Sequence, residues 1–258
     1  MSDLETLAAI DDGRVIIWPF DRQSLNTSSY DIRLGEFYYE EHRPSLATRA
    51  RALLTPKRAM VFNPYDKEHV DRVWGKDEDF LRAKPAKEVL RSYISSDWMG
   101  IEQRDLLTTG IHPDDLIILV GPRRTILAHS QEFIGGVRYA TSMMKARSSW
   151  GRSFVEVCKC AGWGDIGFFN RWTMEITNNS YWYSIPLVVG RRIAQIALLT
   201  TGEIQGDSYS TEQSKYQTSE KLDDVITTWH PRLLKPGLWR DRDIVRMPAM
   251  PEQLPLAA

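Results

Sequence analysis

The sequence predicts a mainly β protein, closed as a barrel or paired as a sandwich. Beyond Asp115 the chain is a series of short β-favouring runs: Leu116–Val120, Thr125–Ala128, Phe154–Cys160, Trp172–Thr177, Ser184–Val188 and Arg192–Leu199. Gly, Asn or Ser separates them, and short strands at this spacing suit a barrel or sandwich better than alternating β and α units. Upstream, Tyr30, Ile32 and Leu34 alternate with Asp31 and Arg33 inside Ser29–Tyr39, the period of a half-buried strand. The chain has 258 residues, 42% hydrophobic and 26% charged, enough to bury a core without disulfide or metal staples.

Taken in order, residues 3–12 predict one short helix capped by Asp3 and closed by Gly13, with Leu4, Leu7, Ala8 and Ile10 on its apolar side. Val15-Ile16-Ile17-Trp18 follows as a strand ended by Pro19. Residues 41–110 mix charge with isolated aromatics; Asp77–Arg82 and Ala86–Tyr93 read as helical pieces, and no chemistry-bearing motif stands out. Residues 203–220 are polar and predict a mobile segment. The tail, 221–258, holds five of the thirteen prolines with Trp229 and Trp239 among charges, so it reads as an extended arm packed on the body or on a neighbouring subunit.

Lys and Arg number 33 against 34 Asp and Glu, a net charge of -1, which argues against nucleic-acid binding by bulk charge. No apolar run approaches a membrane span, and the acidic start, Met1-Ser2-Asp3-Leu4-Glu5, lacks the order of a signal peptide. The two cysteines make no disulfide framework. A cytoplasmic protein without membrane or nucleic-acid partners is expected.

Charge is nonetheless uneven. Residues 121–155 carry Arg123, Arg124, Arg138, Lys145, Arg147 and Arg152 against Glu132 alone. Within them, Arg147-Ser148-Ser149-Trp150-Gly151-Arg152 offers guanidinium forks, hydroxyls and backbone N–H groups of the kind that hold phosphate; by spacing alone it also reads as a solvated basic loop. Asp165 lies among Gly162, Gly164 and Gly167, a place for a carboxylate to receive a hydroxyl or hold a water, or an ordinary turn between strands. In Trp172–Thr177, Thr173, Glu175 and Thr177 share one face. A carboxylate there is a solvated cross-strand partner, or, if the face lines a pocket, a proton shuttle. Cys158-Lys159-Cys160 puts two thiols on one side of a strand, but neither a second pair nor a nearby His completes a zinc site, and the zinc deaminase pattern H-x-E with P-C-x-x-C is absent. The five histidines are scattered and read as structural or surface residues.

Together these blocks resemble the dCTP deaminase branch of the dUTPase-like superfamily. Asp11-Asp12-Gly13-Arg14-Val15 and Ser29-Tyr30-Asp31-Ile32-Arg33-Leu34-Gly35 resemble the family's N-terminal motifs. Arg147 to Arg152 resembles R-S-S-x-x-R. Ala161 to Phe168, with Glu175 beyond, resembles A-G-x-I-D-P-G-F and its following glutamate. Gly190 to Gln195 resembles G-x-x-I-[AG]-Q, and Tyr209 with Lys215-Tyr216-Gln217 resembles the C-terminal segment. Ala146, Ile166 and Ser219 depart from the family's Gly, Pro and Gln.

The resemblance implies a distorted β-barrel of the dUTPase-like, or β-clip, type over residues 1–220, with an insertion around 41–110 and an extra tail at 221–258. It implies metal-free hydrolysis of dCTP to dUTP and ammonia, with Glu175 as general acid/base and no catalytic zinc. Arg147, Ser148, Ser149 and Arg152 would hold the triphosphate, Asp165 the 3′-hydroxyl, and the backbone near Ala161 the water and base. Thr173 would also contact the substrate, while Gln195, Tyr209, Lys215 and Tyr216 would close over the phosphates. Mg²⁺ would accompany the nucleotide, and a homotrimer would share its sites between subunits. Two other readings stay open: a bifunctional enzyme that continues to dUMP and pyrophosphate, and a silent nucleotide sensor.

Overall fold

The computed structural model describes residues 1–54, 60–90, 110–210 and 214–241. Its strands are β1 (Val15–Trp18), β2 (Tyr30–Arg33), β3 (Phe37–Glu40), β4 (Leu81–Arg82), β5 (Lys84–Pro85), β6 (Leu116–Val120), β7 (Thr125–Gly136), β8 (Ala140–Ala146), β9 (Val155–Glu156), β10 (Trp163–Gly164), β11 (Arg171–Asn178), β12 (Ile185–Val188) and β13 (Arg192–Thr200). The helices are α1 (Asp3–Asp11), α2 (Leu46–Leu54), α3 (Lys67–Trp74), α4 (Ala86–Val89), α5 (Ser148–Arg152) and α6 (Leu222–Thr228). None is long and apolar enough to cross a membrane among the described residues.

The mainly β class and the short N-terminal helix are as expected. The strands divide among a six-stranded sheet, β4-β3-β7-β11-β9 with β1 also on β7, a four-stranded sheet, β10-β8-β13-β2, and a three-stranded sheet, β12-β6-β5. They enclose one principal core, in which Tyr30, Ile32, Leu34, Ile134, Met174 and Ile196 are fully buried. The alternation at Ser29–Tyr39 splits into β2 and β3, because Leu34 and Gly35 turn aside to bond Arg191 and His129.

Several local expectations change. The cap of α1 is Ser2, whose hydroxyl accepts from Glu5 N while the Glu5 carboxylate accepts from Ser2 N, a reciprocal capping box. Asp77–Arg82 is not helical: Lys76–Asp79 is a turn, and Leu81–Arg82 pairs with Tyr38 and Phe37. Ala86–Tyr93 is helical only over Ala86–Val89, with residues 91–93 outside the described residues. Phe154–Cys160 contains only the short β9, so Cys158 is buried and Cys160 exposed, rather than sharing a strand face. β7 extends to Gly136 and β8 lay unmarked in the sequence; both use small or polar residues that pair well once a partner strand is present. The tail is compact where it is described: α6 and two 3₁₀ turns, Pro231–Leu234 and Leu238–Arg240, replace the extended arm, while 242–258 lie outside the described residues.

One glycine sets how closely two parts of the chain approach. A Cβ on Gly135 would sit 1.8 Å from the Phe168 carbonyl oxygen, so β7 and the 165–169 turn meet only because that side chain is absent. Gly135→Ala is expected to destabilise the fold by about 3 kcal/mol through overpacking, read as a lower urea midpoint at unchanged slope.

Candidate active site

β11 reads as its sequence predicts. Trp172, Met174 and Ile176 enter the core, and Arg171, Thr173 and Glu175 lie on the other face. The Trp172 indole N–H donates to Ile134 O at 2.8 Å, fixing the strand's rotation. The outer face borders a cavity of about 480 Å³. Ala161, Trp163, Asp165 and Phe168 form one side, Tyr209 and Tyr216 another. Trp229 and Leu233–Pro236 of the tail, with Phe62 and Trp74, complete it.

Glu175 is half-buried, and its Oε2 is shielded from solvent with no hydrogen-bond partner. Burial raises its carboxyl above the ordinary carboxylate range, against a smaller lowering by the Lys159 cation. The carboxyl thus holds a proton more readily than an exposed one would, and the residue borders the cavity. Asp165 is exposed at the cavity wall, in a turn closed by Phe168 N donating to Asp165 O at 3.0 Å. Two carboxyl groups of different environment thus border one space, the arrangement that separates acid from base roles.

The 203–220 segment is anchored rather than free. Gln217 is buried: its Oε1 accepts from Phe169 N at 3.0 Å, and its Nε2 donates to Gly167 O at 2.7 Å. Tyr209 N donates to Ile166 O at 2.8 Å, and its ring meets Phe168 edge-on at 5.3 Å. Burial pushes the Tyr209 hydroxyl up to about 12. Gly167 holds φ +96°, and a Cβ there would lie 2.9 Å from Tyr209 N, so the docking requires glycine. A polar sequence hid this because buried Gln217 is an amide satisfied by backbone.

Other expected residues stand apart from the cavity. Ser148, Ser149 and Arg152 are exposed on α5, and Arg147, just before it, reaches Asp31 at 3.7 Å. Buried Asp31 lies between Arg147 and Arg192, the latter at 3.6 Å. Gln195 sits opposite Asp31 in the β13–β2 pairing. Lys215 Nζ donates to Asp241 Oδ2 at 2.6 Å. One chain therefore brings together Glu175, Thr173, Asp165, Ala161, Tyr209 and Tyr216, but not Arg147, Ser148, Ser149, Arg152, Gln195 or Lys215. Among the described residues, no group of three or more His, Cys, Asp or Glu is placed to hold a metal ion.

Sequence reasoning missed Arg171 and the tail. Arg171 occupies the Glu175 face, with its guanidinium 4.4 Å from the Trp229 ring and 4.9 Å from that of Phe133, and its Nε is buried without a partner. Strand alternation could have found it; nothing local marks Trp229, which reaches the site only through tertiary packing.

His129 lies beneath Trp229, their rings 4.7 Å apart. It is buried, pairs through Nδ1 with Ser130 O at 2.8 Å and accepts from Phe37 N through Nε2 at 3.2 Å, which fixes the Nδ1–H tautomer. A Cβ on Gly35 would sit 2.0 Å from His129 Cε1. Burial holds the imidazole pKa down, to about 3 against an ordinary 6.5. Between those values the unfolded chain binds a proton that the native state refuses, so stability is full above pH 6.5 and falls as pH drops toward 3. Urea unfolding is expected to show a slope of about 1.4 kcal/mol per pH unit from this group, absent in His129→Gln.

A family model described as dCTP deaminase-like matches residues 80–201. A Nanoarchaeum equitans protein named "dCTP deaminase, dUMP-forming" is 25% identical over 216 residues, covering 84% of this chain and 91% of its own length. A Streptomyces griseus protein of the same name is 26% identical over 219 residues, covering 84% and 89%. Among solved structures, the 2′-deoxycytidine 5′-triphosphate deaminase from Agrobacterium tumefaciens aligns with TM-score 0.41 and 12% identity, over 77% of this chain and 47% of that one, so this chain spans about half of its length. Over residues 80–201, just under half of its length, this chain is thus similar to a dCTP deaminase-like domain.

Proposed function

We propose that this protein hydrolyses dCTP to dUTP and ammonia. The carrying observation is the unpartnered, partly desolvated Glu175 carboxyl facing the same cavity as Asp165. As carboxylate, Glu175 takes a proton from water as the oxygen adds to C4 of cytosine. It delivers that proton to N3, and the tetrahedral adduct then expels the 4-amino group as ammonia while the hydroxyl proton passes through the same carboxyl to the leaving nitrogen. A carboxyl whose pKa is raised by burial suits both directions of transfer.

Asp165 would accept the sugar 3′-hydroxyl, Thr173 and the backbone at Ala161 would border the base, and Tyr209 and Tyr216 would cover the nucleotide. Arg147, Ser148, Ser149 and Arg152 would hold the triphosphate of a site on a second copy, in a homotrimer, with Gln195 and Lys215 nearby. Mg²⁺ would arrive on the triphosphate oxygens, which supply its ligands. In this reading residues 1–220 are the catalytic domain, with an insertion around 41–110, 221–258 is a C-terminal extension packed on it, and the enzyme works in the cytoplasm.

A second reading adds cleavage of dUTP to dUMP and pyrophosphate by a water activated at Asp165. Both carboxyl groups border one cavity, and the named relatives are described as dUMP-forming. Incubation with dCTP and Mg²⁺, followed by ion-exchange separation, decides. dUTP with ammonia gives the deaminase, and dUMP with pyrophosphate the bifunctional enzyme. Survival of dCTP and of the other cytosine deoxynucleotides overturns both in favour of a sensor.

A further inference from the structure

The Glu175 face of the large sheet is covered by the chain's own tail. Glu175 pairs in register with Leu127 on β7, which pairs with Tyr39 on β3, and Thr173 pairs with His129. Leu234 packs on Tyr39 and Leu127 in one buried cluster, and Trp229 stacks near His129 and Arg171. Leu233, Leu234 and Pro236 border the same cavity as Glu175. Trp229, Leu233, Leu234 and Pro236 thus give the cavity that Glu175 borders an apolar wall, and they lie beyond the residues matched by the family model.

That wall is clamped at one point. Lys235 is 7% exposed, and its Nζ donates to Asp71 Oδ1 at 2.6 Å and Gly75 O at 2.8 Å and lies 2.8 Å from Asp77 Oδ1. An ammonium has three N–H donors, and three acceptors surround this one. Burying a lysine is costly unless every donor is met, so the clamp has a single favourable position. Its acceptors lie at the end of α3 and in the turn beyond it, joining the insertion to the tail beside the cavity.

We propose that Lys235 is a positioning residue whose grip on Asp71, Gly75 and Asp77 holds Trp229–Pro236 as the wall that keeps water from the Glu175 carboxyl. This deepens the proposed deaminase and, in its kinetic part, rests on it. The charged and titratable groups facing Glu175 are Lys159 and Cys158 from the adjoining turn, Arg171 on its own strand, and Asp165, Tyr209, Tyr216 and Lys235 around the cavity. Removing the Lys235 cation would by charge alone raise the carboxyl's titration midpoint, whereas admitting water lowers it. The two effects have opposite signs.

The test is Lys235→Met, with Lys235→Arg as the conservative variant. The Glu175 carboxyl is titrated by ¹³C NMR in glutamate-labelled protein and assigned with Glu175→Gln. In Lys235→Met its midpoint should fall by about one pH unit, with the acid limb of the kcat profile moving equally, kcat falling about tenfold and KM changing less. Lys235→Arg should restore most of the wild-type midpoint. An unchanged or raised midpoint in folded Lys235→Met overturns the proposal. If that variant does not fold, Asp77→Asn loosens the clamp from its more exposed side and must lower the midpoint to support the proposal; no fall overturns it. The titration needs no turnover, so a wild type inactive on cytosine nucleotides would refute the enzyme and leave the clamp to be judged by NMR.

Discussion

Glu175→Gln is expected to abolish ammonia release from dCTP, by about 10³-fold or more. Gln keeps the shape of the side chain and its acceptor oxygen but carries no exchangeable acid proton in the working range. The site should therefore still bind nucleotide, with an affinity by calorimetry within a few-fold of wild type. The surrounding face is tolerant, since Glu175 makes no side-chain hydrogen bond through Oε2. Stability should stay level or rise slightly as a desolvated acid is removed. Ammonia release by this variant at the wild-type rate would remove the carboxyl from the chemistry, whatever else the cavity binds.

Arg152→Ala should inactivate the enzyme by about 10²-fold, although Arg152 does not border the cavity of its own chain. Its guanidinium is exposed on α5, beside Ser148 and Ser149, where it is free to meet an anion brought by another copy. The distinctive expectation is complementation. Glu175→Gln and Arg152→Ala subunits, each inactive alone, should regain about a quarter of wild-type activity when mixed equally, because a site shared across an interface draws one residue from each chain. Mixed oligomers with no recovery would place Arg152 and Glu175 in the same chain's site, or Arg152 in none.

The part of this design written locally is the part that could be read from the sequence. Strand alternation at 172–177 correctly separates the core side chains from the Glu175 face. The glycines at 162, 164 and 167 announce a tight backbone path, and the structure fills the missing Cβ positions with Met144 O, Ser142 Oγ and Tyr209 N. Arg33 of the first motif shows its task only in three dimensions, where it joins Asp21 to buried Glu132. What was illegible is tertiary. Proline and charge made 221–258 look extended, yet Val225 and Leu234 are buried because β7 offers them Phe133 and Leu127. Nothing near Lys235 in the sequence marks it as buried, because its acceptors lie in a distant part of the chain. Helical propensity in 77–82 yielded to an edge strand's hydrogen bonds.

The contact between Gly35 and His129 has a consequence for how such a chain can change. The imidazole occupies the volume where any other residue at 35 would place its first carbon, and it also receives the Phe37 amide. A larger residue at 35 is therefore inaccessible until 129 shrinks, and a shrunken 129 leaves the half-buried Phe37 N–H without its acceptor. Neither step is neutral alone. Across diverging descendants these two positions should be inherited as a pair, and a reconstructed lineage in which one drifts freely while the other stays fixed would contradict this packing.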